Sequence, residues 1–218
     1  MLITGFPAGG FAANCYVVAP APAAECVIID PGEDAQAGIE EILERHRLKP
    51  IAVLLTHGHI DHVWSVAPVC GAKDVPAYIH PDDREMLSDP GKAFGQAVFG
   101  GLTLTEPDDV KPLADGDLIT MGGLSFTVRH TPGHTRGSVT FQTEGPGEAD
   151  SLFSGDLLFA GSIGRTDLPG GDDAAMLASL AATMTLPDET LVLPGHGPQT
   201  TIGKERTTNP FLAHTRGL

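Results

Sequence analysis

The sequence predicts an α/β fold in which two β-sheets are stacked on one another and helices pack beside them. Each half of the 218-residue chain runs through strands, then a helix, then a strand that ends in histidine, at His57 and at His196. A strand, a helix and another strand in succession indicate a crossover unit, which places reactive groups at strand ends. Without a low-complexity tract or tandem repeat, the length predicts a single domain over residues 1–218.

The first half begins with two short strands rich in Val and Ile, at residues 14–19 and 25–30. The turn formers Pro20-Ala21-Pro22 separate them, which predicts a hairpin. A helix is predicted to open near Asp34, to bury Ile39, Ile42 and Leu43, and to stop before Pro50. The apolar run at residues 51–56 is the next predicted strand.

The segment between Lys92 and Asp109 is rich in Gly and Phe and shows no clear period. Long irregular segments inside a compact domain are often functional, which predicts a flap over the site. An ordinary long connector is the alternative interpretation.

The second half begins with a predicted tight hairpin, in which residues 118–121 and 124–128 flank Gly122-Gly123. Further strands are predicted around residues 139–141, 151–153 and 190–193. A helix is predicted to start near Asp172. Its inner face is expected to carry Met176, Leu177, Leu180 and Met184.

Composition restricts the class of partner. The chain has 13 Lys and Arg residues against 28 Asp and Glu residues, a formal net charge of −15, and no basic stripe that could follow phosphates. We therefore expect no nucleic-acid partner. The amino terminus lacks a basic lead and a long apolar stretch, and no later segment is apolar enough to cross a bilayer, so we expect a cytoplasmic protein without a membrane partner.

The cysteines number three and are widely spaced, which fits neither a disulfide framework nor a cysteine metal site. We expect Cys15, Cys26 and Cys70 to be buried apolar residues; a reactive thiol at Cys70 is the alternative, although no basic neighbour would lower its pKa.

The densest chemical signal is the segment His57-Gly58-His59-Ile60-Asp61-His62, which directly follows a predicted strand. His57 and His59 project to the same side of an extended segment, and Asp61 and His62 reach back from the following turn. Bare imidazoles and carboxylates need partners when they are buried, and divalent cations supply them. The segment therefore predicts a metal site.

Further groups of the same chemistry stand where strands meet turns, beside glycine, which lets the backbone crowd a reactive centre. They are His134, Asp156 and His196.

With these motifs the chain resembles the metallo-β-lactamase superfamily, whose pattern is His-x-His-x-Asp-His followed by separate His, Asp and His residues. Within it, the chain is similar to small glyoxalase II-like (hydroxyacylglutathione hydrolase-like) proteins. That similarity lies in Gly164-Arg165-Thr166-Asp167, in Pro194-Gly195-His196-Gly197-Pro198, and in the tail from Glu205 to Phe211. The resemblance implies an αββα sandwich of two mixed sheets with the metals along one edge.

The resemblance also implies two divalent metal ions, most simply zinc, with iron or manganese as alternatives. His57, His59 and His134 would hold the first ion, Asp61, His62 and His196 the second, and Asp156 would bridge both. A hydroxide between the metals would attack a carbonyl carbon, with Asp61 and Asp156 as the catalytic carboxylates. A thioester fits because its thiolate leaves without much help from an acid. The implied substrate is S-2-hydroxyacylglutathione, such as lactoylglutathione.

Contacts to an anionic substrate would have to come from basic residues. Glyoxalase II proteins carry a helical region after the last metal histidine that helps to bind glutathione, and only residues 197–218 follow it here. The candidates are Lys92, Arg136, Arg165, Lys204 and Arg206, each of which could equally be a surface charge. For Arg165 we favour a structural pair with Asp167.

Other polar residues are candidates for supporting roles. Asn14, Asp30 and His130 are expected either to orient the metal ligands or, for Asn14 and Asp30, to cap their turns. The remaining histidines, expected to be solvated or structural, are His46, His80 and His214.

An oxidoreductase is the main alternative function. Persulfide dioxygenases share this fold and the Gly-Arg-Thr-Asp stretch but use one iron, which His57, His134 and Asp156 would hold as a two-histidine, one-carboxylate triad. Gly195 argues against it, because the dioxygenase pattern tends to have Ala before that histidine. A hydrolase of another small ester or a lactone is a further alternative. A β-lactamase is disfavoured, since those enzymes tend to lack the bridging aspartate.

Overall fold

The structure is a computed structural model that describes residues 1–94, 101–143 and 149–212. Its first sheet contains six strands: β1 (Leu2–Ala8), β2 (Ala13–Ala19), β3 (Glu25–Ile29), β4 (Lys49–Leu54), β5 (Ala77–Ile79) and β6 (Val110–Pro112). They lie in numerical order across the sheet. β1, β2 and β3 pair antiparallel, which confirms the predicted hairpin, and β3 to β6 pair parallel. Strands β1, β5 and β6 were not predicted.

The second sheet also has six strands: β7 (Leu118–Met121), β8 (Leu124–His130), β9 (Val139–Thr143), β10 (Ser151–Gly155), β13 (Leu191–Pro194) and β14 (Thr200–Thr201). A separate small hairpin consists of β11 (Leu158–Phe159) and β12 (Ser162–Ile163). The sheet order is β14-β13-β10-β9-β8-β7, with only the β10–β13 pair parallel. Gly122 and Gly123 both have positive φ and join β7 to β8, as the hairpin prediction requires.

The described helices are α1 (Ala35–His46), α2 (Ile60–Val63), α3 (Val66–Lys73), a 3-10 helix (Pro81–Leu87), α4 (Gly91–Phe94), α5 (Asp173–Thr183) and α6 (Ile202–Thr208). Asp34 and Asp172 occupy the N-cap positions of α1 and α5, which confirms both predicted helix starts. In the described part of the chain, no helix has the length and apolar character that a bilayer crossing requires.

Alternation along the strands produces four layers. In β3, Val27 and Ile29 join the apolar cluster between the sheets, whereas Cys26 and Ile28 join the cluster under α1 and α3. The outer face of the second sheet packs on α5 and α6, where Leu152 contacts a cluster that includes Met176. The layers therefore run helix, sheet, sheet, helix, as expected. Burial of both strand faces explains why these strands read as continuous apolar runs.

The prediction that Leu177 lies on the buried face of α5 is wrong. Leu177 is 37% exposed, although Met176 and Leu180 on the same helix are buried. At about 100° per residue, the buried positions 176, 179, 180 and 183 fall within a sector of about 100°, and position 177 lies about 60° outside it, beside the partly buried position 184. Met184 is partly buried against the same cluster, as predicted.

All three cysteines are free and buried, as expected. Of the predicted flap between Lys92 and Asp109, residues 95–100 lie outside the described residues, as does His214. Residues 91–94 form α4, and residues 102–107 are irregular. The flap stays a prediction.

Candidate metal centre

The predicted ligands all stand where strands end, at one edge of the two sheets. His57 and His59 follow β4, and Asp61 and His62 lie in α2, the short helix that His59 caps. The others lie in the β8–β9 loop, directly after β10 and directly after β13: His134, Asp156 and His196. An isolated bridge between Ala13 and His196 closes this edge between the two sheets.

The structure brings all seven side chains together. Three overlapping groups have ligand atoms within 4.8 Å of one another: His57, His59 and His134; His57, His62 and Asp156; and Asp61, His62 and His196. The first and third groups match the two ligand sets that the resemblance implied, and the second places Asp156 next to one member of each set. The three histidines of the first group are 1–3% exposed, so their lone pairs are shielded from bulk water.

Asp30 fixes the tautomers of two of these histidines. Its carboxylate accepts the Thr56 hydroxyl at 2.6 Å and lies 3.1 Å from Nδ1 of His62, which donates to it. Because the Thr56 proton is used on Asp30, Thr56 Oγ1 accepts from His57 Nδ1 at 3.0 Å. Both rings therefore carry a hydrogen on Nδ1 and direct Nε2 into the cluster.

His134 is oriented by backbone. Its Nδ1 lies 2.8 Å from the carbonyl oxygen of Arg165 and must donate to it, which leaves Nε2 as a lone pair 3.4 Å from Asp156 Oδ2. Gly164 lies against this contact, since a Cβ there would collide with the carbonyl of Asp156. The Gly-Arg-Thr-Asp stretch thus reaches the site through its backbone.

The cluster contains buried polar atoms that find no hydrogen-bond partner among the described residues. They are Nε2 of His57, His59 and His134, and Oδ1 of Asp61 and Asp156. Leaving buried polar atoms unpaired costs about 1–3 kcal/mol each. Lone pairs that converge without donors are the arrangement that a cation satisfies, and nitrogen with carboxylate oxygen suits zinc, iron or manganese. The residues present therefore fit a metal site.

The second ligand set, Asp61, His62 and His196, is equally crowded. Nε2 of His62 lies 3.3 Å from Nε2 of His196, 3.7 Å from Asp61 Oδ2 and 3.4 Å from Asp156 Oδ1. His196 Nε2 is also 3.1 Å from Asp61 Oδ2. Gly195 permits this approach, because a Cβ there would collide with Asp156 Oδ1.

Burial and neighbouring charge separate the pKa values of the cluster. Burial, reinforced by the neighbouring histidines, lowers the pKa of His57 well below its usual value, and burial with His134 lowers that of His59 to about 3. Burial opposes ionisation of Asp156, but His62 and His134 outweigh it and hold its pKa well below the usual range. His57 and His59 are thus neutral and Asp156 ionised at pH 7, the protonation states in which they bind metals.

The predicted substrate contacts are placed less favourably. Arg165 makes two hydrogen bonds of 2.7 Å to Asp167, which is the structural pair that we favoured. Arg206 donates to the carbonyl oxygens of Met184 and Leu186 and pairs with Asp188, so it ties α6 to the end of α5. Lys92 lies 3.1 Å from Glu85.

The exposed Lys204 contributes its backbone N–H to the cap of α6, and Arg136 is exposed beside a cleft that Gly170 also lines.

The predicted supporting residues are all near the site, in different ways. Asn14 donates to the carbonyl oxygens of Pro194 and Gly197, both at 2.9 Å, and so brackets His196. Asp30 acts as described above. His130 does not contact His134; its Nε2 donates to the carbonyl of Arg136 at 2.8 Å.

The other two histidines are partly buried. His46 ends α1, and His80 caps the 3-10 helix by accepting from Asp82 N–H at 3.3 Å.

Sequence reasoning missed two groups that hold the ligand loops. Thr56 connects Asp30 to His57 through two hydrogen bonds, and its position directly before the histidine motif could have indicated this role. Asp83 is fully buried beside Gly58, and nothing in the local sequence distinguishes it from the neighbouring Asp82.

The chain matches the family model of the metallo-beta-lactamase superfamily over residues 8–196. It belongs to this superfamily. The fold, the His/Asp cluster and the match together define the class, a metallo-hydrolase superfamily enzyme.

Two relatives are similar over almost their whole length. The protein described as "Probable metallo-hydrolase YqgX" of Bacillus subtilis is 38% identical, over 94% of this chain and 95% of the relative. The protein described as "Hydroxyacylglutathione hydrolase GloC" of Haemophilus influenzae is 33% identical, over 97% of this chain and 98% of the relative.

Solved structures of similar proteins agree with the fold. BLEG-1, described as a B3 metallo-beta-lactamase, is 42% identical with a TM-score of 0.86 and coverage of 97% of this chain and 100% of that chain. TTHA1623, solved in a di-iron-bound form, is 41% identical with a TM-score of 0.78 and coverage of 96% and 100%.

Proposed function

We propose that this protein is a binuclear metal-dependent hydrolase of thioesters that acts on S-2-hydroxyacylglutathione, such as lactoylglutathione. The carrying observation is the cluster of buried Nε2 and carboxylate oxygen atoms that have no hydrogen-bond partner among the described residues. The similarity to the hydroxyacylglutathione hydrolase of Haemophilus influenzae over nearly both full lengths supports the substrate.

In this proposal His57, His59 and His134 would hold one divalent ion, Asp61, His62 and His196 would hold a second, and Asp156 would be a ligand common to both. When bound, the two ions supply a water whose pKa is lowered to about 7 and positive charge that polarises the substrate carbonyl. Zinc is the proposed metal.

The protein's own residues keep the site ready for this chemistry. Asp30 and Thr56 hold hydrogens on Nδ1 of His62 and His57, and the Arg165 carbonyl does so for His134, so each ring keeps one orientation. Asp61 directs Oδ2 to His196 and leaves Oδ1 unpartnered among the described residues. One oxygen of Asp61 would hold the second ion, and the other is the proposed acceptor for the proton of the attacking water.

The thiolate product explains why no strong general acid is required. A thiol has a pKa near 8.5, so the leaving sulfur departs as an anion at neutral pH. The buried thiols are protonated at neutral pH and so are poor nucleophiles for a covalent acyl-enzyme, because burial raises the pKa of Cys26 and of Cys70 to about 12.

The test is turnover of S-lactoylglutathione by the purified protein, with free thiol measured before and after treatment with a chelator and after zinc is returned. We expect chelator-sensitive thiol release that zinc restores, and a loss of about 10²-fold or more in His134→Ala. The matched control is His46→Ala, which removes a histidine at the end of α1 and leaves the rate unchanged. Absence of chelator-sensitive thiol release refutes the proposal.

Iron is a second candidate metal, because the similar protein TTHA1623 was solved in a di-iron-bound form. A persulfide dioxygenase-like reaction would need one iron on His57, His134 and Asp156. Elemental analysis separates the two, since two zinc ions per chain support the hydrolase and one iron per chain supports the oxidoreductase. Oxygen uptake with glutathione persulfide, without thioester hydrolysis, would establish the second candidate.

Hydrolysis of another small ester, a lactone or a β-lactam would use the same metals, and the similarity to BLEG-1 favours testing a β-lactam. A chromogenic cephalosporin and a simple lactone, assayed beside the thioester, rank these substrates by kcat/KM. A cephalosporin kcat/KM above that of the thioester would reassign the substrate while it leaves the metal site in place.

A further inference from the structure

The 3-10 helix at Pro81–Leu87 lies against both loops that supply the first ligand group. Its residue Asp83 is 0% exposed, and its carboxylate points between the His57–His59 segment and the loop that carries His134. We propose that Asp83 is a positioning residue, which holds these two segments at the spacing that a metal ion on His57, His59 and His134 requires. This inference rests on the metal centre of the proposed function.

The contacts of one carboxylate join the two segments. Asp83 Oδ2 accepts the N–H of Gly58 at 3.0 Å and the hydroxyl of Thr135 at 2.6 Å, and Oδ1 accepts the N–H of Gly137 at 2.7 Å. Gly58 stands between His57 and His59, and Thr135 follows His134. Each ligand of the first group is therefore one residue away from a group that Asp83 holds, but none is contacted by Asp83 itself.

Two glycines allow the ligand segments to lie close to Asp83. A Cβ on Gly137 would lie 2.7 Å from Cγ of Asp83, and a Cβ on Gly58 would lie 2.8 Å from the backbone carbonyl oxygen of Asp83. Real side chains essentially never approach so closely, so both segments must be glycine where they meet this residue. The close approach on both sides indicates a site built around Asp83, since a surface carboxylate needs no such clearance.

A second connection joins the 3-10 helix to the loop that carries His134. The ring of His80, which caps the 3-10 helix, stacks on His130 with a centroid distance of 4.2 Å and an interplanar angle of 5°. His130 in turn donates to the carbonyl of Arg136, two residues after His134. The 3-10 helix thus holds the His134 loop at both ends.

The same stack explains why His80, Asp82 and His130, whose ligand atoms lie within 4.8 Å, are better described as a loop support than as a further metal site. Lone pairs of imidazole lie in the ring plane, and two parallel rings direct them along parallel planes that do not meet at one ion.

A purely structural role predicts a different result, and the chain offers a matched control for it. Glu205 is also 0% exposed and also accepts three hydrogen bonds, from Gly161 N–H, Thr200 hydroxyl and Asn209 amide at 2.6–2.9 Å. It joins α6 to the β11–β12 hairpin and to β14, away from Gly58 and Thr135. Loss of either carboxylate removes comparable bonds, but only Asp83 lies between the ligand segments.

The experiment is a calorimetric titration of the metal-free protein with zinc, in the unchanged protein, Asp83→Asn, Thr135→Val and Glu205→Gln. In Asp83→Asn an amide NH₂ replaces one acceptor oxygen and faces the N–H of Gly58 or of Gly137, which weakens the link between the two segments. We expect one zinc equivalent to weaken by about 10–100-fold and the other to change by less than about threefold. Thr135→Val, which loses one of the three bonds, should show a smaller loss of the same equivalent. Glu205→Gln should bind both equivalents like the unchanged protein.

Thermal unfolding of the metal-free variants provides the second readout. A loss of fold stability alone would lower the unfolding temperatures of Asp83→Asn and Glu205→Gln alike, whereas a positioning role also lowers zinc affinity, in Asp83→Asn only. If Asp83→Asn binds both equivalents normally, or if Glu205→Gln loses affinity to the same extent, the inference is overturned while the metal centre stands. If Asp83→Asn does not fold, unchanged zinc affinity in Thr135→Val overturns the inference. If the unchanged protein binds no zinc, both the inference and the proposed function fail.

Discussion

At the scale of single residues, the site depends on where protons are held. Asp30 receives hydrogens from Thr56 and from His62, and through Thr56 it also orients His57. One carboxylate at the end of β3 thereby controls two imidazoles, and it does so with a positive φ of 50°, which few residues other than glycine adopt readily. Backbone strain of this kind is tolerated where neighbouring contacts over-determine the conformation.

Replacement of Asp30 tests this control. In Asp30→Asn, an NH₂ in place of Oδ2 removes the acceptor of both the Thr56 hydroxyl and His62 Nδ1, and an NH₂ in place of Oδ1 faces the backbone N–H of Thr56. We expect kcat/KM for the thioester and zinc affinity to fall by about 10–100-fold. Zinc titration and thiol release measure both quantities.

The control is Asp117→Asn, because Asp117 accepts a backbone N–H at 2.8 Å in an exposed turn remote from the ligands. Equal losses in the two variants would mean that the effect of Asp30 is not specific to the site.

The cysteines give a second prediction at this scale. Burial raises the pKa of Cys26 and of Cys70 to about 12, and burial with Asp30 raises the pKa of Cys15 well above its usual value. At pH 8 almost no thiolate exists and the sulfur atoms are covered, so a disulfide reagent should label none of the three in the native protein and all three after unfolding. Rapid native labelling of Cys70 would instead support the reactive thiol that its sequence context left open.

At the scale of elements, the loop that carries His134 is built against helix α5. The carbonyl of Gly133 accepts the N–H of Asp172, the N-cap of the helix, at 2.9 Å, and Ser179 donates to the carbonyl of Pro132 at 2.7 Å. Gly133 has a φ of 141° and leaves no room for a Cβ against the backbone of Met176. The start of α5 therefore helps to determine where His134 lies.

Substitutions at two leucines of α5 should distinguish its buried face from its exposed face. Leu180 is 0% exposed in the outer cluster, so Leu180→Ala should lower the free energy of unfolding by about 2–5 kcal/mol. Leu177 is 37% exposed, and Leu177→Ala should change it by only about 0.5 kcal/mol. Urea unfolding of the metal-free proteins measures both values; a larger effect at Leu177 would show that the original prediction of its burial was correct.

At the scale of the whole molecule, the site joins the two sheets. His57 follows a strand of the first sheet, whereas Asp156 and His196 follow strands of the second, so the ligands meet only when the sheets are stacked. Binding to such a site is coupled to folding, since the unfolded chain does not hold the ligands together.

Metal should therefore raise global stability. At a free zinc concentration of 100 times Kd, binding at one site adds about 2.7 kcal/mol to the free energy of unfolding. Denaturant midpoints with zinc and with chelator measure this difference, and His134→Ala should show a smaller one because it loses a ligand. Identical midpoints with zinc and with chelator would contradict coupling between the site and the fold.

Local sequence determined much of this protein. Short apolar runs, a helix with apolar residues four apart and a glycine pair between two strands predict elements from contacts within a few residues. The seven proposed ligand positions were also predicted from the sequence, because the histidine motif and the glycine-flanked His134, Asp156 and His196 stand beside recognisable strand ends.

Only the tertiary structure decided what surrounds those ligands. Arg206 turns to the carbonyls after α5, the Arg165 backbone rather than its side chain meets His134, and Asp83 joins two loops far apart in sequence. These contacts depend on how segments that are distant in sequence pack together, and this packing cannot be predicted from a residue's neighbours in the sequence. Side-chain chemistry identifies the groups that are able to bind a metal, whereas chain packing determines which lone pairs are left without a partner to bind it.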